Sequence, residues 1–331
     1  MSRRSPPPVE REVKLGAWPG FQLPDLAGVA PWLHPGPGAT RVLDAWYYDA
    51  PDLRLLRAGV TLRHRRQDDN DLGTWTLKVP LGVGGDTLER FEIDVVAPAA
   101  TVPAELVKVV AGMLRRVYPV RVARLLTRRL VVALHDGGGR VLGEVCDDEV
   151  SVMEDDRVAA RFREVEVESA PGAPAALATA VVARLREAGA GEPDPTPKLA
   201  RALGPRALGQ PDPIVPPIRR DSDAGTVVRA ALAASVQRLL GFDPAVRLEA
   251  GPVGVHQARV STRRLRSDLQ TFADLVDAPW SEALRSELAW LADLLGGVRD
   301  LDVLGERMGA AVSGLDSDLQ ADGGRLLRHI A

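Results

Sequence analysis

The stretch Val9-Glu10-Arg11-Glu12-Val13-Lys14-Leu15 opens the first strand-like segment of the chain. In an extended strand, side chains two residues apart share a face, so Glu10, Glu12 and Lys14 project to one side. Two carboxylates and one ammonium group therefore share a face. An ordinary half-exposed sheet alternates in the same way, so the stretch by itself predicts only a strand.

Similar short alternating runs, separated by Gly, Pro and Asp turns, continue as far as residue 169. They predict eight strands, and eight strands can close a barrel. The predicted strands are Val9–Leu15, Arg41–Tyr48, Gly59–Arg66, Gly73–Val79, Thr87–Val95, Arg124–Leu134, Val141–Val152 and Arg161–Ser169. Two helices, Pro103–Arg116 and Ala175–Ala188, are predicted to pack outside this sheet.

Charged residues recur at alternate positions on several of these strands, and the opposite positions are apolar. Two arrangements fit this pattern. The charged faces could be exposed to solvent, or a barrel could hold the charges inside and cover its apolar outer face with helices. The periodicity leaves both arrangements open.

The composition limits the class of protein. With 331 residues the chain is long enough for two domains, and a net charge of -3 gives no global signal for nucleic acid. Cys146 is the single cysteine, which excludes an intramolecular disulfide and a metal site made of several cysteines. The sequence has no long apolar segment and no secretory signal, so we expect a cytoplasmic protein without a membrane partner.

A Gly- and Pro-rich stretch divides the chain into two domains. We expect a disordered N-terminus over 1–8, a strand-rich domain over 9–203, a linker over 204–221 and a helical domain over 222–331. In the last of these, apolar residues recur every three or four positions. The predicted helices are Val227–Leu240, Val255–Leu275, Trp280–Leu295 and Leu301–Val312.

The Glu10-x-Glu12-x-Lys14 motif resembles the ExExK signature of the CYTH family, the triphosphate tunnel metalloenzymes. Further motifs follow in the family's order and extend the resemblance over residues 9–203: Tyr47-Tyr48-Asp49, Leu53-Arg54-Leu55, Gly59–Arg65, Trp75–Lys78, Arg90-Phe91-Glu92, Thr127-Arg128-Arg129, Glu144–Asp148, Glu164–Glu168 and Pro197-Lys198. The resemblance implies an α+β domain built on an eight-stranded, closed antiparallel β-barrel with outer helices.

The resemblance also implies roles for the charged residues. Arginine and lysine side chains would bind the phosphates of a triphosphate: Lys14, Arg54, Arg63, Arg65, Lys78, Arg90, Arg128, Arg129 and Lys198. Mg²⁺ or Mn²⁺ prefers oxygen ligands, which the family pattern places at Glu10, Glu12, Glu164 and Glu166. Glu10, Glu12 and Lys14 would be catalytic. Further acidic candidates, each of which could instead form a salt bridge, are Glu92, Glu144, Asp148 and Glu168.

The implied reaction is metal-dependent hydrolysis of inorganic triphosphate to pyrophosphate and phosphate. Two other readings stay open. The substrate could be an organic triphosphate, as in thiamine triphosphatases and class IV-type adenylate cyclases, because the sequence does not place Trp46, Trp75 and Tyr48. The protein could also be a non-catalytic scaffold that binds polyphosphate.

In the second domain, His256, Arg259, Arg263 and Arg266 are spaced to share one helix face, and Arg264 lies beside them. The segment from 255 to 266 resembles the opening motif of the CHAD family, helical domains associated with polyphosphate. That family has two similar halves, and the sequence supplies the first, so we expect a truncated helical bundle that self-associates through uncovered apolar faces. Nucleic acid fits the segment less well, because its basic residues lack interleaved aromatic side chains.

Overall fold

The computed structural model of the protein describes residues 8–66, 72–81 and 88–330. The chain forms two compact units that divide between Gly209 and Gln210, within the stretch expected to be a linker. Most of the predicted N-terminus, and Thr87 of the fifth predicted strand, lie outside the described residues.

The first unit contains one antiparallel sheet. Its nine strands are β1 (Val9–Ala17), β2 (His34–Pro35), β3 (Ala39–Asp49), β4 (Thr61–Arg66), β5 (Leu72–Pro80), β6 (Leu88–Pro98), β7 (Val120–His135), β8 (Val141–Glu154) and β9 (Arg157–Ser169). All eight predicted strands are present with shifted ends. The additional strand, β2, is too short to show a period in the sequence.

Eight of these strands form a closed barrel. The order is β7-β3-β4-β5-β6-β1-β9-β8, and pairing of β8 with β7 closes the ring, while β2 extends the sheet beside β7. β1 pairs with β6 and β9, so that Glu10 lies opposite Arg90 and Lys14 lies opposite Glu166. The predicted eight-stranded antiparallel barrel is confirmed.

The first unit also has five short or medium helices: α1 (Arg54–Arg57), α2 (Ala104–Val109), α3 (Ala111–Leu114), α4 (Ala176–Glu187) and α5 (Lys198–Leu203). The predicted helix over 103–116 is interrupted at Val110, which separates α2 from α3. α1 and α5 were not predicted, since helices of four and six residues do not show a clear period.

The outer face of the barrel is apolar where α4 covers it. Leu177 and Val181 of α4 pack against Val145, Val165 and Val167 of β8 and β9, and all of these side chains are buried. The alternate positions of the same strands carry Glu144, Glu164 and Glu166, which face inward. Of the two arrangements that the periodicity allowed, the structure has the barrel with charges inside.

Only part of the barrel interior is charged. Toward one end the inward positions are apolar, with Ala45 and Tyr47 on β3, Leu125 on β7 and Val150 on β8. Leu199 of α5 packs into this cluster, which helps to fill the end of the barrel. Inward residues are therefore charged at one end of the barrel and form a packed core at the other.

The second unit is helical, as predicted. It contains α6 (Ala224–Arg247), α7 (Pro252–Thr271), a 3₁₀ turn (Ala273–Leu275), α8 (Ala278–Ser313) and α9 (Ser317–Ile330). The two helices predicted over 280–295 and 301–312 form one continuous helix, α8. Gly296 and Gly297 weaken a helix by only about 1 kcal/mol each and do not interrupt its hydrogen bonds, so the helix continues through them.

Small apolar clusters hold α6, α7 and α8 together, with Leu265 and Leu269 of α7 packed against Leu288 of α8. One side of α8 is uncovered within this unit: Trp290 is 61% exposed and Leu294 is 52% exposed. Self-association through this face remains a prediction. Among the described helices, none combines the length and the apolar character needed to cross a membrane.

Candidate active site

The charged end of the barrel interior contains a cavity of about 140 Å³. Seven basic and six acidic side chains line it: Lys14, Arg63, Arg65, Lys78, Arg90, Arg129, Lys198, Glu10, Glu12, Glu92, Glu144, Glu166 and Glu168. Every one of these was predicted from the sequence as a site residue. The cavity is also lined by Tyr47, Thr61 and Pro197, which lie in the motifs but were given no role from the sequence, and by Leu199.

Arg63 and Arg65 on β4 form the cationic side of the cavity. Neither makes a salt bridge with a carboxylate among the described residues. The neighbouring Arg63 and burial both lower the pKa of Arg65. Burial would lower the pKa of Arg63, but Tyr47, which shares a hydrogen bond with it, and Glu92 together raise it. Two adjacent guanidinium groups, neither of which has a direct carboxylate partner among the described residues, therefore provide positive charge on this side of the cavity.

Glu10, Glu12 and Glu168 form the first acidic group, with one carboxylate oxygen of each within 4.8 Å of the others. Lys78 pairs with Glu10, and Arg90 pairs with Glu12. The Oε2 atom of Glu10 is buried without a hydrogen-bond donor, and Arg90 Nε lies 3.8 Å from it. Burial and the charge of Glu166 raise the pKa of Glu168 to about 7.

Asp148, Glu164 and Glu166 form the second acidic group, and all three are buried. Arg129 donates two hydrogen bonds to Asp148, at 2.8 and 2.7 Å, and one to Glu166 at 2.6 Å. The other cations that contact this group are Lys198, whose Nζ lies 3.2 Å from Glu164, Lys14, 3.2 Å from Glu166, and Arg201, 3.6 Å from Glu164. The second group is thus surrounded by cations.

The pKa shifts in the second group follow from these contacts. Burial would raise the pKa of Glu166, but Lys198, Lys14 and Arg129 outweigh it and hold the pKa well below its ordinary value. Burial would likewise lower the pKa of Lys14, whereas Glu166 and Glu164 raise it. Glu166 and Lys14 are therefore both charged at neutral pH, and their charges compensate one another.

The structure divides the four predicted metal ligands between these two groups. Glu10 and Glu12 lie with Glu168, whereas Glu164 and Glu166 lie with Asp148. Glu164 does not line the cavity, and Glu166 already binds three cations. Glu168, which the sequence gave only a secondary rank, completes the group that contains Glu10 and Glu12.

Two predicted phosphate-binding arginines lie outside the cavity. Arg54 is on α1, where its guanidinium binds Asp52 at 2.7 Å and the backbone oxygen of Leu114 at 3.4 Å. Arg128 points outward from β7, is 64% exposed and pairs with Glu149 at 3.4 Å. Its neighbour Arg129 points inward, because adjacent residues of a strand face opposite sides.

Three aromatic residues whose location the sequence left open also lie outside the cavity. Trp75 is fully buried, with its ring 4.7 Å from that of Tyr48, and Trp46 packs under Arg121, 4.6 Å from the ring centre. Tyr47 is the aromatic residue among those that line the cavity. Cys146 is buried beside Glu144, and burial raises its pKa, so it is not an ionised thiol at neutral pH.

The predicted basic residues of the second unit all lie on α7. His256, Arg259, Arg263 and Arg264 are exposed, and Arg266 is half-buried. The guanidinium of Arg259 lies over Gly296 of α8, about 3.8 Å from the position a Cβ would take there. A row of basic groups thus follows one side of α7, beside the buried residues of that helix.

A closed antiparallel barrel with acidic and basic groups converging inside it defines a protein of the triphosphate-tunnel class. The chain belongs to the CYTH family: a CYTH domain matches residues 21–200, and a CHAD domain matches residues 230–331.

An uncharacterized protein of Mycobacterium tuberculosis is 34% identical over 332 residues, and its counterpart in a second strain is 33% identical. Each match covers 94% of this chain and 61% of the relative, so the chain spans about three-fifths of their length.

Two solved structures of similar proteins come from a plant and a bacterium. A putative adenylyl cyclase from Hippeastrum, described as having a dominant triphosphatase activity, is 16% identical with a TM-score of 0.37. The similarity covers 59% of this chain and 95% of that one. A putative adenylate cyclase from Bacillus halodurans is 19% identical with a TM-score of 0.33, over 49% of this chain and 81% of the other.

Proposed function

We propose that the protein is a metal-dependent hydrolase that splits inorganic triphosphate into pyrophosphate and phosphate. The observation that carries the proposal is the lining of the cavity, which consists almost wholly of charged side chains and includes two arginines that form no salt bridge among the described residues. Such a cavity favours a small, highly charged anion over a molecule with an apolar or aromatic part.

The basic side chains would bind the phosphates. Arg63 and Arg65 carry positive charge that the described carboxylates do not compensate, so they are available to an anion without first breaking a salt bridge. Planar guanidinium groups bind two phosphate oxygens at once, which orients the substrate as well as attracting it. Lys78 and Arg90, between this pair and the first acidic group, would contact the same anion from the other side.

Glu10, Glu12 and Glu168 suit a hard divalent cation. Their oxygens converge within 4.8 Å at the cavity wall, and one oxygen of Glu10 is buried without a donor, which is costly unless a cation satisfies it. Both oxygens of Glu164 also lack a donor, but Glu164 does not line the cavity. We assign Mg²⁺ or Mn²⁺ to these three residues. When bound, the ion would neutralise phosphate charge and polarise a phosphoryl oxygen.

Hydrolysis adds one water across one P–O–P linkage. The water oxygen forms a bond to phosphorus, the bridging oxygen leaves with the electron pair, and one proton is released to a base. Glu144 lines the cavity, makes no salt bridge among the described residues and accepts a contact from the Cys146 thiol at Oε1, so its Oε2 atom is available to accept a hydrogen bond from the water. The arginines would stabilise the negative charge of the leaving phosphate.

Organic triphosphates fit this cavity less well. Recognition of a base or a thiazole ring commonly uses aromatic stacking, and Trp46, Trp75 and Tyr48 lie outside the cavity. Tyr47 is 4% exposed and contributes its hydroxyl to Arg63, so its ring does not offer a free stacking face.

The test is release of phosphate from tripolyphosphate, ATP and thiamine triphosphate, each with Mg²⁺ or Mn²⁺. We expect tripolyphosphate to be hydrolysed fastest, and we expect Glu10→Ala and Lys14→Ala to abolish the activity. Arg128→Ala is a matched control, since this arginine lies outside the barrel. Faster hydrolysis of ATP, or full activity of the Glu10 variant, would contradict the proposal.

The basic row on α7 supports a second role, the binding of polyphosphate by the helical unit. Arg259, Arg263 and Arg264 are exposed on one helix, and phosphate oxygens along a chain match such a row. We expect the triple change of these residues to alanine to weaken polyphosphate binding and reduce its salt dependence, measured by fluorescence anisotropy with a labelled chain. Unchanged affinity would exclude this surface.

A further inference from the structure

The cavity has a closed inner end. Tyr47 and Leu199 line the cavity and also belong to the apolar cluster that fills the adjoining part of the barrel. Their exposed fractions are 4% and 1%. Beyond them, Leu125 and Val150 occupy the inward positions of β7 and β8 at 0% and 1% exposure. A phosphate chain that reaches Leu199 therefore meets packed hydrocarbon.

The segment that carries Leu199 is anchored to the barrel wall. Gly191 donates a backbone hydrogen bond to Gly16 at 2.8 Å, and Asp194 donates one to Lys14 at 2.8 Å. α5 follows at once, with Lys198 bound to Asp148 and Glu164 on the barrel side. The closed end is therefore held by backbone hydrogen bonds to β1 and by buried ion pairs, and it is part of the folded barrel.

We infer that substrate enters this cavity end first, and that Leu199 with Tyr47 limits how far the terminal phosphate travels. This inference rests on the proposed hydrolase function and specifies which linkage is cut. The groups that react are fixed on the barrel wall, and the inserted phosphate chain stops at Leu199. Cleavage therefore falls at a constant number of phosphates from the inserted end. A polyphosphate chain without a free terminal phosphate cannot be positioned for cleavage in this way.

Polyphosphate whose two ends are blocked tests this inference with the unmodified protein. Chains of one length are prepared with free ends and with both terminal phosphates converted to bulky phosphoramidates. We expect phosphate or a short oligophosphate to be released from the free chains only, with no internal fragments. Equal cleavage of the blocked chains would overturn end-first entry while leaving the hydrolase function intact, whereas inactivity on tripolyphosphate itself would overturn both.

Tetrapolyphosphate tests the role of Leu199. A constant cleavage position predicts one type of first split, either phosphate with triphosphate or two pyrophosphates. In Leu199→Ala, the space left by the shortened side chain deepens the cavity. We expect the ratio of the other pair of products to the original pair to rise by at least about tenfold.

Leu177→Ala is the matched control, because Leu177 is equally buried but packs on the outer face of the barrel. We expect it to keep the original split even if it lowers stability. Both products are separated by ion chromatography after a single turnover. An unchanged product ratio in folded Leu199→Ala, or the same shift in Leu177→Ala, would overturn the assignment of Leu199.

Discussion

The two acidic groups inside the barrel consist of the same kind of side chain, but their electrostatic surroundings differ. Around Asp148, Glu164 and Glu166, four basic side chains approach within 4.0 Å. Around Glu10, Glu12 and Glu168, four basic side chains also approach within 4.0 Å, but burial and the charge of Glu166 raise the pKa of Glu168 to about 7. Cations hold the pKa values of Asp148 and Glu166 below their ordinary range, whereas in the first group they do not offset the cost of ionising Glu168.

This difference separates structural carboxylates from candidate metal ligands. A buried carboxylate is stable only if cations or donors satisfy it, so an incompletely compensated group is the one suited to bind an ion. Sequence motifs alone do not show the distinction, since Glu10 and Glu166 both belong to alternating acidic runs. The following changes test whether the two groups differ as described.

The largest effect on stability is expected for Asp148→Ala. This change removes a buried carboxylate that both Arg129 and Lys198 bind, leaving them to share Glu166, and breaking such a pair costs about 3–5 kcal/mol. Urea denaturation would measure the loss. Glu149→Ala, at the next residue on the outer face, is the control and is expected to cost less than about 1 kcal/mol. Similar losses for both variants would show that the second group is not a structural network.

A pH-dependent effect is expected from Asp49, a buried carboxylate satisfied by backbone groups. It accepts hydrogen bonds from the amides of Ala50, Leu55 and Leu56, which begin α1. Burial raises its pKa from 3.8 to about 6, so its stabilising contribution is complete below pH 3.8 and is lost as the pH rises through 6. Relative to Asp49→Asn, the free energy of unfolding should fall by about 3 kcal/mol over this range.

Urea titrations of the wild type and of Asp49→Asn at pH 4 and pH 7 would check this difference. A gap between the two proteins that does not change with pH would show that the carboxyl group titrates normally. It would also show that a buried carboxylate in this fold does not need the cationic partners that surround the two acidic groups of the barrel.

Arg65→Ala tests the cationic side of the cavity. Loss of one arginine that binds developing phosphate charge is expected to lower kcat/KM for tripolyphosphate by about 100-fold, corresponding to about 2.7 kcal/mol. Arg128→Ala, which removes an arginine from the outer face of the barrel, should leave kcat/KM unchanged. Equal losses would mean that the general positive charge of the unit attracts the substrate.

The smallest effect is expected for Glu168→Gln without metal. Removing one of three crowded carboxylates relieves repulsion, so stability should be unchanged or rise by about 1 kcal/mol. Urea denaturation in EDTA would measure this sign. A loss comparable to that of Asp148→Ala would mean that Glu168 is held by cations as firmly as the second group.

The sequence predicted the barrel strands and most of the inward charges, because strand alternation and the order of the motifs determine which side of a strand a residue occupies. It did not predict how far along the barrel axis each charged residue lies. The register that places Glu12 opposite Glu168, and Asp148 opposite Glu164, determines which acids meet, and this register depends on strand pairing that no single segment encodes. α5 and the closed end were missed because a six-residue helix gives no period.

Arg54 shows a related limit. It belongs to a motif that matched in order, but the chain forms α1 at this point and the side chain binds Asp52. Arg128 and Arg129 were both retained as candidates, because a shift by one residue exchanges the two faces of a strand. Only the pairing of β7 with β8 decides between them, by placing Arg129 opposite Asp148.

The most direct test of the account is a Mn²⁺ titration followed by electron paramagnetic resonance, on the wild type, Glu10→Gln and Glu164→Gln. Both variants remove one carboxylate charge from the barrel interior, but from different groups. The account predicts that Glu10→Gln weakens Mn²⁺ binding by at least about tenfold, since a ligand is lost, while Glu164→Gln keeps it within about threefold. Loss of binding in Glu164→Gln with retention in Glu10→Gln would contradict it.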